Sequence, residues 1–340
     1  MTKQKIKNLI ILSIIVVFLA ISCVFYQKIN IFTHKFMFNN GIVCKNNNLM
    51  VHFISVGQGD AIAINFPSGK TMLIDSGSRN ASVEYVNYLK SNVLNNSRSN
   101  KIDHLVLTHA DADHIGGTLK LLQTFNIGTV YLPYVESDTE TYVEIKETVI
   151  NNSNFEILKG ELDVEDSDVK ITTFQLTEIE ETNDSCPVIK LEYLNKSFLF
   201  TGDISKDAEQ ELLKNNTENF NADVLKVAHH GSSSSSSEEF LQVVSPDYAI
   251  ISVGENEYGH PTEEVLNHLH DVQTKVLRTD EDGNILFVVG KHYDLSYICD
   301  NFYITNLTLD YRFFVLCVEI SLAVIAVIVV IKKPKQTSSK

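Results

Sequence analysis

The stretch of sequence that decides the fold is LVLTHADADHIGG, residues 105–117. Directly after its apolar start come four potential metal ligands within six positions: His109, Asp111, Asp113 and His114. Alternate residues of an extended chain project to one side, and two glycines then let the chain turn into a helix. So many imidazoles and carboxylates would repel or stay unpaired without cations. The pattern predicts a pair of divalent cations; the alternative is a capped turn with surface acids.

Two later strand ends carry the same kind of signal. The run SFLFTGD, residues 197–203, places Asp203 after an apolar strand, and VLKVAHHG, residues 224–231, places His229 and His230 after another. Taken alone, the first is weak, because Thr-Gly-Asp is common at turns. Ligands drawn from several neighbouring strand ends are how a rigid sheet holds a metal site. Together, the three stretches predict one binuclear centre.

Working outward from these motifs, the chain alternates short β-type runs with helical ones. Strands are predicted at 51–56, 61–66, 71–76, 104–109, 129–132, 169–174, 188–194, 197–202, 223–230, 248–253, 275–278 and 285–289. Helices are predicted at 82–94, 117–125, 137–150, 205–215, 236–243 and 262–270. Short glycine-containing turns join the early strands, whereas helices separate the later ones. This mixture predicts an α/β fold of four αββα layers, with two sheets packed face to face and helices outside both.

The composition excludes several classes of protein. A net charge of −15 over 340 residues excludes a basic protein that coats nucleic acid. With 44% hydrophobic and 21% charged residues, the chain can bury a sizeable core, which argues against global disorder. No C-x-x-C motif occurs among the five cysteines, so a zinc finger and a disulfide scaffold are also excluded.

Two long apolar stretches, 9–26 and 313–331, lie near the ends of the chain. Each is long enough to cross a bilayer as a helix, and each has lysines on its terminal side. The positive-inside rule then places both termini in the cytoplasm and everything between the spans outside the cell. The alternatives are a cleaved or lipidated signal sequence ending near Cys23 for the first stretch, and a buried core helix for the second.

This topology divides the chain into seven parts. In order, they are a basic cytoplasmic tail (1–8), a transmembrane anchor or signal sequence (9–26), a linker (27–48), the α/β domain (49–292), a second linker (293–312), a transmembrane helix (313–331) and a second basic cytoplasmic tail (332–340). Cys44 and Cys299 each lie just inside an anchor, and an extracytoplasmic location would permit a disulfide between them. Their spacing leaves that pairing open.

The motifs together resemble the metallo-β-lactamase superfamily and, within it, the extracellular hydrolase domain of ComEC-type competence proteins, which import transforming DNA. The matching stretches are 56–61 (VGQGDA), 73–77 (LIDSG), 108–117, 201–203, 226–232, 258–261 (YGHP) and 278–280 (RTD) with Gly283. They cover about residues 50–290, nearly the whole block between the apolar stretches. The multi-span translocation channel of those proteins has no counterpart in this sequence, so the resemblance implies no DNA-transport role.

The resemblance also implies roles for individual residues. His109 and Asp111 resemble ligands of a first metal, Asp113 and His114 ligands of a second, and Asp203 a carboxylate that bridges both. His230 is the expected remaining ligand, with His229 as the alternative. Asp60 and Asp75 are expected to hold histidines and turns in place rather than to bind metal.

Catalytic and substrate-binding roles are predicted for residues near the motifs. Asp113 and His260 are the predicted catalytic residues. Residues predicted to contact substrate are Asn183, Ser185, Ser232, Ser235 and Arg278. Structural alternatives remain for three segments: the serine run 232–237 as a flexible loop, His260-Pro261 as a helix start, and Arg278 as the ion-pair partner of Asp280.

Two positions depart from the family pattern. Most of the superfamily has a third histidine for the first metal, whereas this chain has Asn183-Asp184-Ser185, as in the ComEC-like branch. The first site is therefore either poorer in ligands or completed by Asn183 or Asp184. Ser55 stands where that branch usually has Asp. Because Asp111 replaces a common histidine, the donors shift toward oxygen, which favours manganese over zinc for the two divalent ions.

The leading hypothesis is a membrane-anchored, outward-facing binuclear hydrolase of a phosphodiester, with DNA favoured by the resemblance. The acidic central segment counts against DNA, because it repels a polyanion. One alternative is hydrolysis of a phosphodiester decoration on a cell-wall polymer. The other is a binding or signalling module that has kept the fold and lost catalysis. The implied partners are the membrane and the substrate, and no protein partner is inferred.

Overall fold

A computed structural model describes residues 48–300, apart from 95–99, 163, 165, 167, 217–218 and 291–292. Within these residues the strands are β1 (Leu49–Phe53), β2 (Ile62–Asn65), β3 (Thr71–Ile74), β4 (Lys101–Val106), β5 (Asn126–Leu132), β6 (Asn154–Ile157), β7 (Val169–Phe174), β8 (Val188–Tyr193), β9 (Lys196–Phe200), β10 (Val224–Lys226), β11 (Tyr248–Ile251), β12 (Lys275–Arg278), β13 (Ile285–Gly290) and β14 (Tyr293–Cys299). The α-helices are α1 (Ser82–Tyr88), α2 (Ala112–Ile115), α3 (Thr118–Thr124), α4 (Glu140–Asn152), α5 (Lys206–Asn216), α6 (Glu238–Val244), α7 (Glu263–Asp271) and α8 (Thr279–Asp282).

The strands form two sheets that share one plan. The first has the order β14-β13-β1-β2-β3-β4-β5-β6, and the second β12-β11-β10-β9-β8-β7. Each begins with an antiparallel meander, β1 to β3 or β7 to β9, and continues with parallel strands, β4 to β6 or β10 to β12. Parallel neighbours end at the same edge of a sheet. The loops after β3, β4, β9 and β10 therefore carry side chains toward such edges.

Alternation along the strands builds three apolar layers. In β4, Val106 packs in the core between the sheets, whereas its neighbour Leu105 packs with helices on the outer face. In β9, Phe198 and Phe200 point into the inner core, and Leu199 points to the outer one. Successive strand residues point to opposite faces, so both sheets are apolar on both sides. Helices cover each outer face: α1, α3 and α4 on the first sheet, and α5 to α7 on the second. The predicted α/β sandwich is confirmed.

Local capping explains where several helices begin. The side chains of Thr139, Ser237 and Thr262 accept hydrogen bonds from backbone N–H groups at the starts of α4, α6 and α7. Such caps satisfy amides that have no partner within the helix. The predicted helices agree with the observed ones to within a few residues, except that 82–94 ends as an α-helix at Tyr88 and continues as a π-helical turn, Leu89–Val93.

Some predicted boundaries are wrong. The predicted linker 293–312 begins with β14, which pairs antiparallel with β13, so the domain continues to Cys299 and does not end at 292. The edge strand β6 has no counterpart among the predicted strands, because it has only four residues and all of them are exposed. Strands predicted to reach His109 and His230 end at Val106 and Lys226. Their apolar runs continue beyond the strands because the following loops are also buried.

The two predicted membrane spans, 9–26 and 313–331, lie outside the described residues, as do the tails and nearly all of the first linker. Among the helices of the described part, none has the length and apolar character needed to cross a bilayer. Cys44, the predicted disulfide partner of Cys299, also lies outside the described residues.

Candidate metal centre

The loops after three strands and one short helix bring seven predicted metal ligands together. His109 and Asp111 follow β4, and the turn of α2 carries Asp113 and His114. Asp203 follows β9 from the second sheet. His229 and His230 lie in a 3-10 turn, Ala228–Gly231, after β10. Because β4 belongs to one sheet and β9 and β10 to the other, the cluster joins the two halves of the domain.

One carboxylate oxygen lies at the centre of the cluster. Asp203 Oδ2 is close to the Nε2 atoms of four histidines: 3.2 Å from His114, 3.4 Å from His230, 4.0 Å from His109 and 4.0 Å from His229. The Asp203 side chain is 4% exposed, so this oxygen faces the imidazoles instead of bulk water. A carboxylate oxygen shared between imidazoles from both sheets has the geometry of a bridging ligand.

The remaining ligands divide the cluster into two sides. On one side, His109 Nε2 lies 3.7 Å from Asp111 Oδ2. On the other, His230 Nε2 lies 3.2 Å from Asp113 Oδ2. The ligand atoms of His109, His114 and Asp203 lie within 4.8 Å of one another, as do those of Asp113, His114 and His230. Two overlapping groups of three potential ligands are the arrangement that a binuclear site requires.

The polar groups of this cluster fit divalent cations. His109 is completely buried, yet its Nε2 atom has no hydrogen-bond partner. A buried polar atom without a partner is costly, and none of the described side chains forms a hydrogen bond to this nitrogen. A metal ion would satisfy it. Imidazole nitrogens and carboxylate oxygens suit both zinc and manganese, and the three aspartates shift the set toward manganese.

Electrostatics in the metal-free cluster lead to the same conclusion. Burial lowers the pKa of His114, but Asp203 and Asp75 outweigh it and hold that pKa well above its ordinary value. For His230, the same carboxylate overcomes burial and raises the pKa to about 9. Burial works against the charge of Asp203, but His114 and His230 nevertheless hold the pKa of that carboxyl well below its usual range. Without metal, protons therefore occupy positions that cations would take.

Metal uptake should release protons from the chain at neutral pH. His114 and His230 are protonated there in the metal-free protein, and only the neutral imidazole binds a metal. Apparent metal affinity should therefore rise with pH through about 9, the pKa of His230, toward about 10, the pKa of His109. Calorimetric titration with Mn²⁺ in two buffers of different ionisation enthalpy measures this release. Equal heats in the two buffers at neutral pH would contradict it.

Hydrogen bonds from the second layer of residues fix the histidines. Asp75 Oδ2 lies 2.8 Å from His114 Nδ1, and the same carboxylate accepts hydrogen bonds from the backbone N–H and hydroxyl of Thr108. The Ser252 carbonyl lies 2.8 Å from His230 Nδ1. These contacts leave the Nε2 atoms of both rings for the cluster centre. Asp75 therefore contacts the ring nitrogen of His114 that is not directed at Asp203 Oδ2.

A buried lysine that had no predicted role completes this layer. Lys226 Nζ lies 2.5 Å from Asp60 Oδ2 and 3.5 Å from Asp203 Oδ1, and it donates to the Gly202 carbonyl at 3.0 Å. The ammonium group therefore holds one oxygen of Asp203 and leaves Oδ2 facing the histidines. The signal in the sequence is a lysine inside the apolar run VLKVA, because a charge in a buried strand needs a partner.

The backbone is shaped to bring the ligands this close. His229 and His230 both adopt positive φ angles, 49° and 54°, which is costly for residues with a side chain. Gly59, in the VGQGDA motif, has φ +132°, and a Cβ there would lie 2.1 Å from the Asp113 carbonyl oxygen. Only glycine therefore allows this loop to lie against α2, and the neighbouring Asp60 N–H donates to the same carbonyl.

An open cavity of about 1330 Å³ borders the cluster. Asp111, Asp113, Asp203, His229 and His230 line it together with the predicted catalytic residue His260. Burial and the nearby His229 and His230 lower the pKa of His260. The His260 and His229 rings pack edge to face with centroids 5.6 Å apart. A substrate in this cavity can therefore contact the metal ligands and His260 at once.

Five predicted substrate-binding residues do not line this cavity: Asn183, Ser185, Ser232, Ser235 and Arg278. The first two lie in a turn where the Ser185 hydroxyl donates to the Thr182 carbonyl. Ser232 is hydrogen-bonded to Ser234, and Ser235 is fully buried. Arg278 forms a bidentate pair with Asp280, at 3.0 and 2.6 Å, which is the structural alternative.

The two departures from the family pattern have structural roles. One oxygen of Asp184 accepts a hydrogen bond from the Ser205 N–H at the start of α5, and Asp184 is not among the residues grouped as potential metal ligands. Ser55 lines the cavity. Its backbone N–H donates to the Asn284 side chain and its hydroxyl to the Thr279 carbonyl, so it connects the VGQGDA loop to the second half of the domain.

The serine run 232–237 forms an ordered loop, because the carboxylate of buried Glu209 accepts hydrogen bonds from the backbone N–H groups of Ser236 and Ser237.

The fold and the site define a two-sheet α/β sandwich with a candidate binuclear metal centre at its strand ends. The family model for the metallo-beta-lactamase superfamily matches residues 54–255, and the chain belongs to this superfamily. The expected likeness to competence proteins is also confirmed. The chain is 33% identical over 260 residues to ComE operon protein 3 of Bacillus subtilis (strain 168). The aligned region covers 72% of this chain and 33% of that protein.

A second relative and one solved structure extend the comparison. Competence protein ComA of Neisseria gonorrhoeae is 30% identical over 247 residues, covering 72% of this chain and 33% of that protein. The chain thus spans about a third of the length of these two relatives. Among solved structures, the metallo-beta-lactamase fold protein YhfI from Bacillus subtilis matches with a TM-score of 0.47 and 14% identity, over 71% of this chain and 99% of that one.

Proposed function

We propose that this chain is a binuclear metal-dependent phosphodiesterase that acts on DNA, anchored in the cell membrane with its catalytic domain outside the cell. The observation that carries the proposal is the convergence of four imidazoles on Asp203 Oδ2 at the floor of an open cavity. Supporting observations for DNA are the competence-related names of the two relatives. Membrane anchoring is supported by the apolar stretches 9–26 and 313–331 with their flanking lysines.

Two manganese or zinc ions would be held by His109 and Asp111 on one side, by Asp113, His114 and His230 on the other, and by Asp203 between them. When bound, such ions lower the pKa of water and stabilise negative charge on a phosphoryl group. His229 is part of the cavity wall with a side chain that is 31% exposed, whereas the His230 side chain is 2% exposed. This difference supports His230 as the ligand and leaves His229 to face the substrate.

Two residues of the chain supply the remaining chemistry. The His260 imidazole is neutral at neutral pH because its pKa is lowered, and it can donate its ring N–H to a phosphate oxygen. The pKa of Asp113 is also lowered, because the hydrogen bond to His230 and the charges of His114 and His230 outweigh burial. Asp113 therefore stays ionised at the cavity wall, as a carboxylate that binds a metal must be.

The test uses the full-length chain purified in detergent, loaded with Mn²⁺ or Zn²⁺. Single-stranded DNA, double-stranded DNA and a small phosphodiester are offered in parallel, with the Asp113→Ala variant as the matched control. The proposal expects metal-dependent cleavage of DNA by the wild type and loss of that cleavage in the variant. Intact DNA with turnover of the small phosphodiester would instead support hydrolysis of a cell-wall decoration. No turnover of any substrate would support a catalytically lapsed module.

The proposed topology has its own test. Protease added to intact cells should cleave the α/β domain, because both termini are proposed to be cytoplasmic and the domain outside. Protection of the domain in intact cells, with cleavage only after lysis, would contradict the proposed location and the DNA and cell-wall substrates with it.

A further inference from the structure

Tyr258 is an aromatic residue held on the rim of the cavity with its ring in solvent. It is 75% exposed, the highest value among the large hydrophobic side chains of the described residues. Its ring is stacked on His260, with centroids 5.7 Å apart and an interplanar angle of 28°. One face of the Tyr258 ring is therefore covered by the predicted catalytic residue His260, and the other face is open to solvent.

The loop that carries Tyr258 is held by a single side chain. Asn256 Oδ1 accepts the backbone N–H groups of Tyr258 and His260, at 3.1 and 3.0 Å. Its Nδ2 donates to the carbonyls of Gly254 and His260, at 2.8 and 2.9 Å. The Asn256 side chain thus makes two donor and two acceptor hydrogen bonds, all to the backbone of this loop. These bonds keep the loop ordered, and Tyr258 is exposed on it. Exposing an aromatic ring on an ordered loop beside a reactive centre provides a preformed surface for a planar ligand.

The rim of the cavity is acidic, so it does not attract the phosphate backbone of a nucleic acid. Glu84, Glu255 and Glu257 line the cavity outside the ligand cluster. Among the described residues, Arg79 is the one arginine or lysine that lines it, and it is paired with Glu144 at 2.8 Å. Attraction between basic side chains and backbone phosphates normally supplies most of the affinity for nucleic acid. Since this rim is acidic, affinity beyond the scissile phosphate has to come from uncharged contacts, and stacking on an aromatic ring is such a contact.

We infer that Tyr258 is a stacking platform for one unpaired nucleobase, so that the site takes single-stranded nucleic acid with the adjacent phosphodiester at the metal centre. This inference rests on the proposed phosphodiesterase function and names its substrate class. The bases of a duplex cannot stack on Tyr258, because they are already stacked on each other and their faces are covered. A flipped or single-stranded base presents a free π-face of any sequence.

The test measures whether a nucleobase increases the binding affinity of an oligonucleotide and whether this increase depends on Tyr258. Fluorescence anisotropy with the full-length chain in EDTA compares a short thymidine oligonucleotide with an abasic oligonucleotide of equal length and charge. The wild type should bind the thymidine strand about 5- to 100-fold more tightly, the range expected for one stacked base. The variant Tyr258→Ala should lose this ratio, whereas Tyr258→Phe should keep it, because the ring and not the hydroxyl makes the contact.

Two further comparisons complete the experiment. Phe155→Ala removes another exposed aromatic ring, on β6 and outside the cavity, and should keep the wild-type ratio. The duplex form of the thymidine strand should bind more weakly than the single strand. An unchanged ratio in Tyr258→Ala, no ratio in the wild type, or equal binding of the duplex would overturn the inference.

The same oligonucleotides, incubated with Mn²⁺, separate this inference from the proposed function. Base discrimination in EDTA without cleavage of any strand in Mn²⁺ would overturn the phosphodiesterase and support the base site. Cleavage of thymidine and abasic strands with equal kcat/KM, and no discrimination in EDTA, would overturn the base site alone. Faster cleavage of the thymidine strand, with the advantage lost in Tyr258→Ala, supports both.

Discussion

Replacing Asp203 with asparagine should lower metal-dependent hydrolysis by at least about 1,000-fold, which corresponds to the several kcal/mol that paired cations contribute to a transition state. The substitution keeps the shape of the side chain and removes the charge of the one carboxylate that faces four imidazole Nε2 atoms. Metal content, measured by mass spectrometry on the same preparation, should fall below that of the wild type.

The matched control is Asp184→Asn. Asp184 follows the same logic in the sequence, as an acid near the expected position of the missing third histidine, but its carboxylate accepts the Ser205 N–H. An asparagine oxygen can accept the same hydrogen bond. The control should therefore keep both metal and activity. Wild-type activity in Asp203→Asn, or an equal loss in Asp184→Asn, would show that the centre has been assigned to the wrong carboxylate.

Replacing Lys226 with methionine should cost about 3–5 kcal/mol in the free energy of unfolding, the range measured when one partner of a buried ion pair is removed. The lysine is 1% exposed and contacts both Asp60 and Asp203. Burial lowers its pKa, but the two carboxylates outweigh burial and hold the pKa above the ordinary value, so it is charged in the folded chain. Methionine fills about the same volume, removes the ammonium contact of buried Asp60, and leaves Asp203 with only the imidazolium groups of the cluster.

Urea denaturation followed by circular dichroism in EDTA measures this loss without a contribution from bound metal. Lys170→Met is the control, because Lys170 pairs with Glu192 at 2.7 Å but its side chain is 71% exposed. Such a surface pair is worth about 0–1 kcal/mol. A loss for Lys226→Met no larger than that of the control would contradict the role of Lys226 as the counter-charge of the centre.

Much of the fold could be predicted because many of its strands are short apolar runs bounded by turns and several of its helices begin at a capping residue. Residues 169–174 and 275–278, for example, are strands over their whole predicted lengths. The strand β6 was harder to predict, since it has only four residues and all of them are exposed at the edge of the sheet. The alternating run of β14 does carry a strand signal, and Leu295, Tyr297 and Cys299 pack against the inner core, but its place beside β13 follows only from the folded sheet.

Part of the ligand cluster could be predicted because four of its residues are short-range neighbours at one strand end. His109 to His114 share one loop and one helical turn, so their spacing already implies proximity. Contacts between the two sheets carry no such signal. The 2.5 Å pair between Lys226 and Asp60 joins residues far apart in the chain, and only the packed sandwich brings them together.

The substrate-side residues were the least predictable. Arg278 lies in a matching motif, yet the acids of its own turn, Asp280 and Glu281, occupy its guanidinium group. Tyr258 also lies in a matching motif and was given no role, because exposure cannot be read from a tyrosine in a sequence. Its importance follows from the ring contact with His260 and from the acidic rim, and both depend on the folded loop.

The acidic composition also has a more specific meaning at the site. The net charge of −15 excludes a protein that coats nucleic acid, but three of the acids face the histidines of the cluster, and Lys226 pairs with two buried ones. Other acids lie on the cavity rim and oppose a phosphate backbone. The same charge pattern is therefore compatible with a substrate held by cations at one phosphodiester and by a base nearby.

The central claim is that the cluster around Asp203 Oδ2 holds two divalent cations that make the chain a hydrolase. The most direct measurement is a titration of metal-free, full-length protein with Mn²⁺, in which bound metal per chain and the rate of phosphodiester hydrolysis are measured on the same samples. We expect no activity in EDTA and full activity only when two ions are bound per chain. Full activity in the metal-free protein, or binding of two ions without activity toward any phosphodiester, would contradict it.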